Sequence, residues 1–289
     1  MSTLFTGISE LRTVSERGTL NDAAIIAQSG TIAWVGPASE APAADEKVDL
    51  GGRAVLPGWV DSHTHMVFDG DRSAEFEARI SGGSYEAGGI AVTMDATRQA
   101  GTDRLDKLVA DRVAAGRRGG TTTFETKTGY GLNTESEVEA AKVASRHVDD
   151  VTFLGAHLVP PGADAEDYLD EVVGPMLEGV APYVQWIDVF CERGAFNEEQ
   201  SRRVLEAGKK LGLGLRVHGN QLGEGPGVAL AVELGAASVD HVNHLSDEDV
   251  ELLANSDTVA TMLPACDLST REPLAPGRTL LDAGATLAI

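Results

Sequence analysis

The stretch RAVLPGWVDSHTH, residues 53–65, decides how the rest of the chain is read. An apolar run (Ala54, Val55, Leu56) meets a turn at Pro57-Gly58, resumes at Trp59-Val60 and stops at Asp61-Ser62-His63-Thr64-His65. Side chains two residues apart on a strand share a face. His63 and His65 are therefore expected to project together from a strand end and to bind one metal ion. Two desolvated imidazoles facing one way need partners, and a cation supplies one. A bare His-x-His is as readily a pair of surface histidines, but the apolar strand and Pro-Gly turn before it favour the ligand reading.

Downstream, the pattern of apolar strand, polar strand end and helix repeats. Strands are expected at 121–125, 151–156, 184–190, 213–217, 236–239 and 258–263, with an eighth opening at 285 and running to 289. Apolar residues at 105, 108, 109 and 113 mark a helix over 103–118. Thr134 with Glu137 reads as a capping box, Asn197 as the cap of a helix to 210, and Ser246 with Asp249 as another helix start. Eight strands with intervening helices predict an α/β fold, a (β/α)8 TIM-type barrel incomplete at the eighth strand. A doubly wound open sheet is the alternative, but the connection after the first strand lacks a phosphate-type glycine loop. The active site of such a barrel lies at the carboxyl ends of its strands. His63, His65, Glu125, His157, Glu192, His218 and His241 all follow the apolar part of a strand. Five of the seven histidines sit there, where chance scatter would also use helices and loops.

Upstream, residues 1–53 read as short strands, with 23–27 and 31–35 flanking the hairpin signal Ser29-Gly30. This is too little to fold alone and is expected to be the N-terminal part of a small β-sandwich domain, with 54–289 forming the barrel. The 289 residues are 42% hydrophobic and 24% charged, the balance of a soluble globular protein. No apolar stretch approaches the ~20 residues of a membrane span, and the N-terminus lacks the basic and apolar regions of a secretory signal. Two cysteines exclude a disulfide framework and fit a reducing cytoplasm. A net charge of −22 argues against nucleic acid or anionic membrane as partners. It also requires an anionic substrate to meet a local cation.

His63, His65 and His218 suit zinc or ferrous iron with an open position for water. A bound metal brings its water toward ionisation at neutral pH and polarises a carbonyl, and a nearby base then moves the proton to a leaving nitrogen. His241 is placed to polarise the carbonyl or relay protons. No GxSxG elbow is present, which favours metal-assisted hydrolysis over covalent catalysis. Arg72 reads either as a surface ion pair with Asp69, Asp71 or Glu75 or, with the glycine-flanked Tyr130, as a carboxylate clamp at the barrel mouth. The residues alone carry the reading to a metallohydrolase with a small, anionic substrate.

PGWVDSHTH resembles the first-strand motif of the amidohydrolase superfamily. HMVFDGDR, GGSY, TTTFETKTGYGL, LGAH, IDVFCE, VHGNQL and SVDH resemble, within it, the imidazolonepropionase family. The likeness runs from about residue 50 to the end. It implies hydrolysis of the ring amide of 4-imidazolone-5-propanoate to N-formimidoyl-L-glutamate in histidine degradation, with one zinc or iron ion per subunit of a homodimer. His63, His65 and His218 match the metal ligands. Arg72, Tyr130, His157 and Gln221 match substrate-binding positions, and Tyr85 and His241 match further pocket residues. Gly219-Asn220 replaces the family's usual Ala and acid. The family's remaining metal ligand and general base, an aspartate at the end of the eighth strand, falls beyond Ile289. The chain is therefore expected to be a truncated form of a longer protein, poorly active and unstable by itself. The competing expectations are another cyclic-amide hydrolase or aminohydrolase of the superfamily, and a catalytically silent metal-binding relic.

Overall fold

The computed structural model describes residues 1–81 and 89–289, and these divide into two units, Met1–Trp59 and Val60–Ile289. In the first unit, Ser29 and Gly30 both adopt positive φ, 52° and 78°. That backbone follows the right-handed twist of two flanking strands and closes a two-residue hairpin. It joins β2 (Thr19–Gln28) to β3 (Thr31–Pro37), with Gln28 opposite Thr31. With β1 (Ser2–Arg12) and β4 (Glu46–Val55) they form one sheet in the order β3-β2-β1-β4. β4 runs straight through Gly51-Gly52 and pairs parallel to β1 with register shifts absorbing the extra residues. Ile8, Leu11 and Ala23 are its buried centre. The unit is a single sheet layer.

The second unit carries eight strands that follow one another in sheet order as in sequence: β5 (Trp59–Asp61), β6 (Thr121–Lys127), β7 (Asp150–Ala156), β8 (Trp186–Cys191), β9 (Gly214–Gly219), β10 (Ser238–His241), β11 (Val259–Thr261) and β12 (Leu287–Ala288). Adjacent strands pair in parallel from β6 to β12. Parallel neighbours require crossovers, here mostly helices, so the strands are covered and read as nearly continuous apolar runs. In β7 every residue but the first is buried. The sheet curls as an open (β/α)8 half-barrel, and among the described residues no pairing joins β12 to β5.

Helix ends follow local chemistry. Asn197 caps the helix Glu198–Lys210 through a capping box with Gln200, and Ser246 does the same with Asp249 for Asp247–Ala254. The box expected at Thr134 and Glu137 does not form. Asn133 caps Thr134–Ala144 by accepting from the Ser136 amide, and the Glu137 carboxylate is drawn elsewhere. The helix Glu198–Lys210 buries Val204, Leu205 and Gly208, and a Cβ on Gly208 would lie 2.4 Å from Ile187 Cγ2 on β8.

Alanine is the better helix former by up to about 1 kcal/mol, but overpacking a core contact costs about 1–3 kcal/mol. Gly208→Ala is therefore expected to lower stability in urea melts by about 1–2 kcal/mol. A neutral or stabilising effect would show that the helix can lift off β8 at no cost.

Candidate active site

β5 stops at Asp61, so His63 and His65 stand on the segment after the strand and not on its extended end. Their common direction comes from Thr64 between them. Its N–H donates to Glu125 Oε2 (3.1 Å), its hydroxyl to the Glu125 carbonyl (2.6 Å), and its carbonyl accepts from the Lys127 amide (2.8 Å). With Thr64 fastened to β6, the flanking imidazoles project together, ring centroids 5.3 Å apart. His218 on β9 completes the group, 4.7 Å from the His63 ring and 5.5 Å from the His65 ring. One nitrogen from each of the three lies within 4.8 Å of the others.

The outer ring nitrogens fix which lone pairs face inward. His63 Nδ1 lies 2.7 Å from Asp240 Oδ2, and His218 Nδ1 lies 2.9 Å from Asp188 Oδ2. A carboxylate behind Nδ1 keeps the proton there and leaves Nε2 as a donor to a metal. His65 Nε2 and His218 Nε2 face each other at 3.4 Å. Burial, reinforced by Lys127 and His218, lowers the pKa of His63; burial with His63, His218 and His157 holds that of His65 well below its ordinary value. Two ring nitrogens facing one another at this distance repel unless a proton or cation lies between them, so the donor set fits a divalent ion. A second cluster, Asp188, His218 and Asp240, already has its cation. The Lys127 ammonium lies 3.1 Å from Asp188, 3.5 Å from Asp240 and 3.0 Å from Glu125.

Around this centre opens a cleft of about 950 Å³. Of the residues singled out in the sequence, His63, His65, His218, Arg72, Tyr130, His157, Gln221 and His241 line it, while Tyr85 lies outside the described residues. His157 presents Nδ1 to the Gly129 carbonyl at 2.8 Å, and its burial lowers the pKa to about 4. It is neutral at physiological pH. His241 stands 5.2 Å from the His218 ring, with Nδ1 buried and without a hydrogen-bond partner among the described residues. Its φ of +83° and that of Val242, +49°, are strained for side chains with a Cβ, and such strain concentrates at functional sites. Asn220 holds that loop by donating from Nδ2 to the His244 carbonyl (3.0 Å) and accepting the His244 amide on its own carbonyl (2.9 Å).

Tyr130 rides on a loop fastened by Glu137. That buried carboxylate accepts the amides of Gly129 (2.9 Å), Gly131 (2.7 Å) and Leu132 (2.9 Å), which is why it is absent from the helix cap. Three arginines, Arg72, Arg104 and Arg112, line the cleft. Of the acids beside Arg72, Asp69 pairs with Arg104 and Asp71 takes the Ser73 amide at 2.7 Å. Arg112 donates to the Met66 and Phe68 carbonyls and stacks on the Phe68 ring. Two strand-end residues take structural work. Glu192 accepts the Gln221 and Leu222 amides, and Glu125 holds Thr64 and Lys127.

Sequence reasoning passed over Lys127, Asp188 and Asp240, which face none of the cleft. Their signal was a charge placed inside an apolar strand, as in IDVF and SVDH; on a strand buried on both faces such a charge must have a buried partner.

No family model matches the chain. Curated relatives do. The chain is 63% identical over 300 residues to the imidazolonepropionase of Arthrobacter sp. (strain FB24), covering all of this chain and 75% of that protein. It is 63% identical over 289 residues to that of Saccharopolyspora erythraea, covering all of this chain and 74% of that protein. Among solved structures, a triazine hydrolase from Arthrobacter aurescens superposes with a TM-score of 0.70 at 18% identity, covering 99% of this chain and 70% of the other. A guanine deaminase from C. acetobutylicum with bound guanine gives 0.70 at 14% identity, covering 99% and 73%. An adenosine deaminase from Xanthomonas campestris with bound zinc gives 0.67 at 17% identity, covering 99% and 68%. Likeness at these identities extends to the fold.

The neutral His157 carries a pH signature. Its pKa falls from 6.5 to about 4 on folding, so the unfolded chain binds the extra proton. Stability is full above pH 6.5 and is lost as pH falls toward 4, by roughly 3 kcal/mol from this residue. His63, His65 and His241 shift in the same direction. Denaturant melts of the metal-free chain from pH 8 to 4 are expected to show the loss, and His157→Gln to reduce its slope. An unchanged slope would mean that the imidazole is not held neutral.

Proposed function

The chain belongs to the imidazolonepropionase family, and we propose that its cleft hydrolyses the cyclic amide of 4-imidazolone-5-propanoate to N-formimidoyl-L-glutamate. The observation that carries this reading is the set of three inward-facing imidazole nitrogens, two backed by carboxylates, at the floor of a cleft with an arginine-bearing wall. His63, His65 and His218 would hold one divalent ion, zinc or iron. Such an ion, when bound, supplies Lewis acidity toward a carbonyl and brings water toward ionisation near neutral pH.

The rest is done by side chains of this chain. Arg72 and Tyr130 receive the propionate, a guanidinium and a phenol being suited to a carboxylate. His157, fixed as the Nδ1–H tautomer by the Gly129 carbonyl, turns Nε2 toward the ring as an acceptor. Gln221, its backbone tied to Glu192, offers an amide to the ring edge. His241 holds or passes a proton at its unpartnered Nδ1. In this reading the protein is a cytoplasmic homodimer. Its unpaired cysteines support that setting, as does the lack, among the described residues, of a helix long and apolar enough to cross a membrane.

The chain spans about three quarters of the length of the relatives it matches. Metal content and turnover are therefore best measured on this chain and on one extended through the next stop codon of its gene. The extended form is expected to hold one divalent ion and to hydrolyse 4-imidazolone-5-propanoate. Arg72→Met in that form is expected to raise KM roughly 10- to 100-fold, the loss of one charge-assisted contact, with metal content unchanged. Metal binding without hydrolysis, or indifference to Arg72→Met, would instead favour another cyclic-amide hydrolase or aminohydrolase.

A further inference from the structure

Lys127 is fully buried, and its ammonium touches nothing in the cleft. It lies instead one layer below the imidazoles. Lys127 comes from β6, Asp188 from β8 and Asp240 from β10. Alternate strands contribute the side chains of one interior layer in barrels of this kind, and these three form such a layer. Glu125, two residues before Lys127 on the same strand, closes it from the side at 3.0 Å. The oxygens that Lys127 approaches on Asp188 and Asp240, Oδ2 in both, are the ones that face His218 and His63. One ammonium therefore sets the direction of both carboxylates, and through them the direction of two ligand rings.

The charges can be counted. Three carboxylates and one ammonium leave these four groups at −2, the sign that suits a cation above them, with the buried Arg216 guanidinium of β9 also acting on Lys127. A buried charge without its partner is strongly unfavourable, so removing the lysine would strand three anions beneath the ligand rings. We infer that Lys127 is a positioning residue for the metal centre, the internal counter-ion that aims Asp188 and Asp240 at the ligand histidines. The inference rests on the reading of His63, His65 and His218 as ligands of a divalent ion.

The test is a zinc titration by calorimetry on the extended form and on its Lys127→Met, Glu125→Gln and double variants, with metal-free melts alongside. Glu125→Gln is expected to weaken zinc binding by removing negative charge, and Lys127→Met to weaken it at least about tenfold because uncompensated Asp188 and Asp240 take up protons or turn from the ligand rings; the double variant, back at −2 but without the aiming ammonium, is expected to recover part of that loss. A role in packing alone predicts additive losses. Should Lys127→Met fail to fold, the double variant decides, because restored balance predicts that it folds and binds zinc. Zinc binding unchanged or tighter in Lys127→Met, or a double variant no better than the single, overturns the inference while the metal reading stands. An extended form that binds no zinc overturns both.

Discussion

A carboxylate behind an imidazole, both removed from water, is the interaction on which the second unit depends. His63 and His218 reach their shared centre from segments far apart in the chain, and each is oriented by an aspartate on a further strand. Those aspartates are themselves buried. Burial alone would raise their pKa, yet the pull of His218 and Lys127 on Asp188, and of Lys127 and His63 on Asp240, holds both below the usual carboxylate range. Burial likewise works against the Lys127 ammonium, but Glu125, Asp188 and Asp240 outweigh it and hold its pKa above the ordinary lysine value. The β-sheet brings these groups together, and the ionic layer in turn dictates which registers of the sheet are tolerable. A one-residue slip of β6 would turn Lys127 outward and strand its partners.

The cleft above that layer is shaped by backbone held in place by buried side chains. Glu137 gathers three amides and thereby gives the Tyr130 loop its curvature. Asn220 clamps the strained turn that carries His241. In each case a polar residue that does not line the cleft determines where one that does will stand.

Much of this was legible in the chain. The strands of the second unit are short apolar runs that stop at polar residues, and their ends fell within a few residues of expectation because parallel, doubly covered strands tolerate little polarity. The histidines were legible for the same reason. The direction of His63 and His65 was expected from strand alternation and arises instead from Thr64, whose bonds to β6 have no local signature. Glu137 had the spacing of a capping box, but three converging amides of a loop are a stronger claim on a buried carboxylate than one cap amide. Lys127 stayed invisible because nothing near it in sequence, apart from Glu125, is among its partners.

The spacing of the ligands also has a meaning in time. His65 and His218 are 153 residues apart, and Asp240 follows His63 by 177. A ribosome delivers the chain from its N-terminus, so His63 and His65 emerge as a pair long before the third ring exists. The third arrives with β9, and the aspartate that orients His63 only with β10. For an ion held as proposed, tight capture would wait until most of the sheet had been synthesised, and its binding would certify that distant parts of the chain had found one another.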